Sequence, residues 1–162
     1  MKREKKRPGC WGKTSALLLA LSFLTSCRTG PVLPPVNVSE PGWKLQQGQA
    51  VWRPRRQGPE IAGEILFATH PGRHTLLQLT KNPLPFLTAQ TSGDRWQITF
   101  IPQDRRFSGV GTPPPRLLWV HLARALNGTQ PPAPLRFEQE GGHNFTLENP
   151  ATGESITGFL NE

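Results

Sequence analysis

RWQITFI, residues 95–101, decides how the rest of the chain is read. Trp96, Ile98 and Phe100 fall on one side of an extended backbone and Gln97 and Thr99 on the other, the period-2 alternation of a strand buried on one face. Such strands belong to antiparallel sheets with one covered side, since strands of parallel sheets are apolar on both faces. The neighbouring sequence repeats the theme. Ser92-Gly93-Asp94 turns into this strand from Phe86–Thr91 (FLTAQT), and Pro102-Gln103 turns out of it into Asp104–Val110.

Working outward, Gln47–Arg55, Gly63–Thr69 and His74–Thr80 read as earlier strands, the last two joined by the tight turn His70-Pro71-Gly72-Arg73. Leu135–Gln139, Asn144–Leu147 and Ser155–Leu160 read as later ones, separated by Gly141-Gly142 and Ala151-Thr152-Gly153. Between the two sets lies one helix, RLLWVHLARALN, residues 116–127. Thr112 is its expected N-cap, the prolines after it suit a first turn that needs no amide donors, and Gly128 is its stop. Leu118, Leu122 and Leu126 recur four apart with Trp119 beside them, while Arg116 and Arg124 are expected in solvent and His121 at the rim. Eight or nine short strands and one amphipathic helix predict a mainly β (α+β) fold. Its expected form is a strongly curved antiparallel sheet, a half-barrel, with the helix covering the concave face.

The first residues follow a different rule. Met1–Ser15 carries Lys2, Arg3, Lys5, Lys6, Arg7 and Lys13 against Glu4 alone, and the apolar run ALLLALSFL, residues 16–24, follows. That run is too short for a membrane-spanning helix, which takes about 20 residues, but fits the apolar region of an export signal. It ends in Leu24-Thr25-Ser26-Cys27, which resembles the bacterial lipobox; the resemblance implies cleavage before Cys27 and acylation of that cysteine. Residues 1–26 are then a lipoprotein signal peptide, 27–42 (Pro31, Pro34, Pro35 and Pro41 among them) a lipidated, extended tether, and 43–162 a single β-rich domain. Arg28, standing where an aspartate retains many such proteins at the inner membrane, points to the outer membrane, facing the periplasm.

This division recasts the charge. The chain carries a net +8, of which +5 lies in residues 1–27, so the remainder is only mildly basic at +3 and gives no reason to expect a nucleic-acid partner. Cys10 leaves with the signal and Cys27 is used for lipid, so no disulfide is expected; a monomer is the expected state.

Catalytic chemistry needs a nucleophile with a positioned base, or a metal with several ligands. Asp94 and Asp104 sit in turns, and Gly153–Gly158 lacks the spacing and strand-turn-helix setting of a nucleophile elbow. His70 and His74 have helical metal spacing, but Pro71-Gly72 between them forces a turn. A non-enzyme with no metal or cofactor is expected. What the sequence does supply is apolar surface. Phe67, Leu77, Leu79, Phe86, Trp96, Ile98, Phe100, Leu118, Trp119 and Leu122 either pack as a core or line a hollow under the helix suited to acyl chains.

One further stretch carries a family resemblance. The order of lipobox, tether, hairpin sheet, the connection Leu79-Thr80-Lys81-Asn82-Pro83-Leu84, a sheet strand and a proline-led helix resembles the LolB family of outer-membrane lipoprotein receptors and the wider LolA/LolB fold. The resemblance implies an eleven-stranded half-barrel with a helical lid over an apolar cavity. It implies lipoprotein or acyl-chain cargo, a LolA-like periplasmic carrier as partner, and a cargo- and membrane-contacting loop at Asn82, Pro83, Leu84 and Pro85, with Leu84 protruding. Pro85 stands where that family usually has glycine. The alternative is a non-catalytic structural or assembly lipoprotein that presents a surface to an envelope protein.

Overall fold

The structure, a computed structural model, describes residues 32–161. The expected signal segment, Cys27 and the first part of the tether lie outside them. β1 (Lys44–Arg53), β2 (Ile61–His70), β3 (His74–Lys81), β4 (Leu84–Ser92), β5 (Arg95–Phe100) and β6 (Arg105–Val110) form one antiparallel meander. α1 (Leu118–Leu126) carries the chain to the other edge, where β7 (Arg136–Glu140), β8 (Asn144–Asn149) and β9 (Glu154–Asn161) return as a second meander. β9 pairs with β1, so the described residues make one open nine-stranded sheet, against the eleven strands implied by the resemblance.

The sheet curls. Trp52 on β1 and Phe100 on β5 stand four strands apart, a separation of about 19 Å on a flat sheet, yet their ring centroids are 6.1 Å apart. α1 packs against β3, β4 and β5 on one side of the trough and against β8 and β9 on the other. Phe67, Leu77, Leu79, Trp96 and Ile98 from the concave face meet Leu118, Trp119 and Leu122 from α1 in one buried cluster, with Phe86 and Phe100 packed at its margin. Among the described residues the buried apolar core runs from Leu33 to Leu160.

α1 differs at its start from the sequence expectation. Thr112 does not cap it, because a residue before proline is driven out of the α region and Thr112, Pro113 and Pro114 each precede one; the helix begins only at Leu118. Its end is as expected. Gly128, at φ +82°, donates to Ala125 O and Thr129 to Arg124 O, the paired bonds of a Schellman stop. His121 is buried and not at the rim, with Nε2 3.2 Å from Pro114 O, and burial lowers its pKa. Arg124 is not simply solvated either; its Nη2 donates to Gly111 O at 2.9 Å, binding the helix to the end of β6.

The tether also needs correcting where it is described. Leu33 is only 6% exposed, and its N–H donates to Gln97 Oε1 at 3.0 Å on the convex face of the sheet. Residues 33–43 therefore run as a strap along that face and are not a free spacer, and they bury Gln90 and Gln97, which the alternation turns away from the core.

Candidate functional site

One end of the sheet gathers the unusual residues. Along β3 and β4, Leu79 pairs with Leu87, but Thr80 then pairs with Pro85 and Lys81 with Leu84, so Phe86 is an extra residue in a β-bulge. The bulge lets Phe86 turn inward, where its ring meets Trp52 at 6.1 Å edge-on. Beyond it the two-residue turn Asn82-Pro83, with a cis peptide bond between them, projects from the sheet. Asn82 and Pro83 are exposed and Pro85 is half-buried. Leu84 is 70% exposed, more than any other large apolar side chain among the described residues.

The next hairpin tip, between β5 and β6, is similar. Ile101 is 43% exposed at the start of a single 3-10 turn, Ile101–Gln103, which Asp104 closes in the left-handed conformation. Behind both tips sits an aromatic cluster centred on Trp52, which contacts Phe86, Phe100 and Trp119, while Phe100 meets Phe107 edge-on at 6.4 Å. Trp52 Nε1 donates to Glu154 Oε1 at 3.0 Å. Desolvation raises the Glu154 pKa to about 7, the indole bond opposing the shift.

Sequence reasoning did not single out Trp52 or Glu154 as site residues. A signal for each exists. Glu154 has the same parity on β9 as Ile156 and Leu160, which places an acid on the apolar side of a strand, and Trp52 shares a face with buried Ala50.

No protein-family model matches the chain, and no curated protein matches it.

Of the two readings of the apolar set, core or hollow, the packed core describes it. Phe67, Leu77, Leu79, Phe86, Trp96, Ile98, Phe100, Leu118, Trp119 and Leu122 are brought together, but in mutual contact, because Trp52 from β1 and Phe86 from the bulge fill the trough at its Leu84 end. The grooves at the surface have other linings. One of about 240 Å³ lies under the strap, between Leu33–Asn37 and His70, His74 and Gln90. A larger one of about 760 Å³ runs past Arg53, Arg56 and Glu154 at the Leu84 end. Inside the core, Trp96 Nε1 and Trp119 Nε1 are buried without a hydrogen-bond acceptor.

The turn between β2 and β3 makes His70 and His74 register partners, with ring centroids 6.0 Å apart and Trp43 against His70. Among the described residues no three His, Cys, Asp or Glu side chains converge on a point where a metal would sit.

Proposed function

We propose that this protein is a LolB-like, lipid-anchored acceptor at the bacterial outer membrane, taking acyl chains or acylated lipoproteins from a LolA-like periplasmic carrier and passing them to the bilayer. The observation that carries the reading is Leu84, an apolar side chain held out in solvent at a hairpin tip, at the end of a curled sheet with an aromatic interior. The lipobox-like Leu24-Thr25-Ser26-Cys27 supplies the anchor on this reading. The interior favours an acyl ligand in a second way. Trp119, in ring contact with Trp52 at the Leu84 end, keeps an unpaired indole N–H donor among apolar side chains, a costly arrangement that an ester or amide carbonyl at the root of an acyl chain would relieve. The action is binding and release, with no cofactor and no covalent step.

Native mass spectrometry and lipid extraction of residues 28–162 test the reading. Co-purifying acyl chains, lost when Trp119 is replaced by a charged residue in a chain that still melts cooperatively, are expected. A domain that is always empty removes the carrier function. In that case the assembly reading takes over, favoured by the filled interior and the groove under the strap, and crosslinking in cells should then give one dominant protein partner whatever stands at position 84.

A further inference from the structure

We propose that the Leu84 end of the sheet is a docking face for an anionic phospholipid surface, with the curled sheet standing on the bilayer and its aromatic mouth opening onto it. This rests on the membrane-anchored reading above and adds the chemistry of the surface that is met.

The antiparallel meander brings the ends of β1, β3 and β5 and the starts of β2, β4 and β6 to this one end. Its basic residues are Arg53, Arg55, Arg56, Lys81, Arg105, Arg106 and, at the start of β7, Arg136, all exposed, against the acids Glu60, Asp104 and Glu148 at its surface. Among the described residues the ion pairs are Arg53 with Glu60 and Arg136 with Glu148. Arg55, Arg56, Lys81, Arg105 and Arg106 therefore have no carboxylate partner there, and the Arg105 guanidinium lies 5.3 Å over the Phe107 ring, held near the mouth. Set among these cations are two apolar tips on successive hairpins, Leu84 and Ile101. Two side chains hold a protein to lipid only weakly, but cations beside them add attraction to anionic headgroups within a Debye length of about 8–10 Å. Leu84 and Ile101 protrude and line neither of the grooves beside them, a shape that suits a yielding bilayer better than a rigid protein partner.

The strap puts the anchor on the same side. Leu33 is bonded to Gln97, only about 10 Å along β5 from Phe100. Four residues lie between Cys27 and Val32, five Cα–Cα steps that reach up to about 18 Å. That length is enough for an acylated Cys27 to reach the plane of the two tips, so the membrane that holds the anchor can be the one the tips meet.

The test floats residues 28–162, made without an acyl anchor, with phosphatidylcholine vesicles with or without phosphatidylglycerol. Binding is expected only with phosphatidylglycerol and should fall as salt rises. Arg105→Gln with Arg106→Gln, and separately Arg55→Gln with Lys81→Gln, should each lower the partition coefficient by roughly fivefold per charge removed. Arg73→Gln with Arg95→Gln, at the opposite end of the sheet, should leave it unchanged, and thermal melts verify that every variant folds. Equal binding to neutral vesicles, no binding to either, or an equal loss from the opposite-end pair overturns the proposal. Lipid extraction of the same preparation reads the interior separately. Acyl chains inside with no dependence on the tip charges leave the carrier reading standing without this docking face, and anionic-vesicle binding with an empty interior does the reverse.

Discussion

Trp52 Nε1 donates to Glu154 Oε1 across 3.0 Å, so the acid on the concave side of β9 is held by the ring at the centre of the aromatic cluster. Burial raises the pKa of that carboxyl from 4.5 to about 7, which makes the folded state prefer the proton. The stability this contributes is full below about pH 4.5 and is lost as pH rises through about 7. A shift of this size is worth on the order of 3 kcal/mol, reduced where the neighbouring groove admits water. Glu154→Gln should raise the urea midpoint near pH 8 and leave it almost unchanged near pH 4. A gain of equal size at both pH values would show that ionisation of Glu154 is not the cause. His121 acts in the opposite direction, since its lowered pKa makes stability fall as pH drops below 6.5.

Leu84 and Leu79 separate surface from core within one hairpin. Leu79 is fully buried and Leu84 mostly exposed. Leu79→Ala should cost about 2–5 kcal/mol, whereas Leu84→Glu should shift stability by no more than about 0.5 kcal/mol while abolishing delivery of acylated cargo to vesicles. A large loss of stability in Leu84→Glu would place that side chain in the core.

Gly109 lies opposite Trp96 in the β5–β6 register, and a Cβ there would come within 2.5 Å of Trp96 Cζ2. Gly109→Val should destabilise by about 1–3 kcal/mol as the indole is displaced. Trp96→Phe removes the clashing ring, so in the double variant the two costs should sum to less than their separate values, a coupling read from a double-mutant cycle.

The strap gives a prediction for hydrogen exchange. The Leu33 amide is held by the Gln97 side chain, and Gln97→Leu keeps the volume of that side chain while removing the acceptor. Exchange across residues 33–42 should then accelerate while the β3 and β4 amides remain protected. If the whole sheet loosens as well, the strap is an integral part of the core.

The strands were legible because each is short, alternates and is bounded by turn residues, and RWQITFI set the inward face of its neighbours correctly. The periodicity places the helix, but each of the three prolines bars the α region to the residue before it, so the helix begins at Leu118 and not after Thr112. Leu84 is marked only by the family resemblance, and its exposure is a finding of the structure. The strap was not legible. Nothing local in RTGPVLPPVNVSEPG announces that Leu33 docks on a glutamine 64 residues away, and a proline-rich run reads as a spacer until its distant partner is known. Packing of the apolar set was one of the two readings open from the sequence, and the choice between them depends on a bulge at Phe86 and on curvature that brings Trp52 across four strands.

The pairing of β1 with both β2 and β9 also governs the order of assembly. Trp52 lies opposite Ile61 on one side and Ile156 on the other. The first contact closes over a few residues, while the second must wait for Ile156, about a hundred residues further along the chain. Until then β1 is an edge strand with a row of free backbone donors and acceptors, and long-range pairing of this kind is slow to form. The most vulnerable moment for this protein therefore comes after its first meander is built and before its last strand arrives, when a second copy in the same condition is the competitor to exclude.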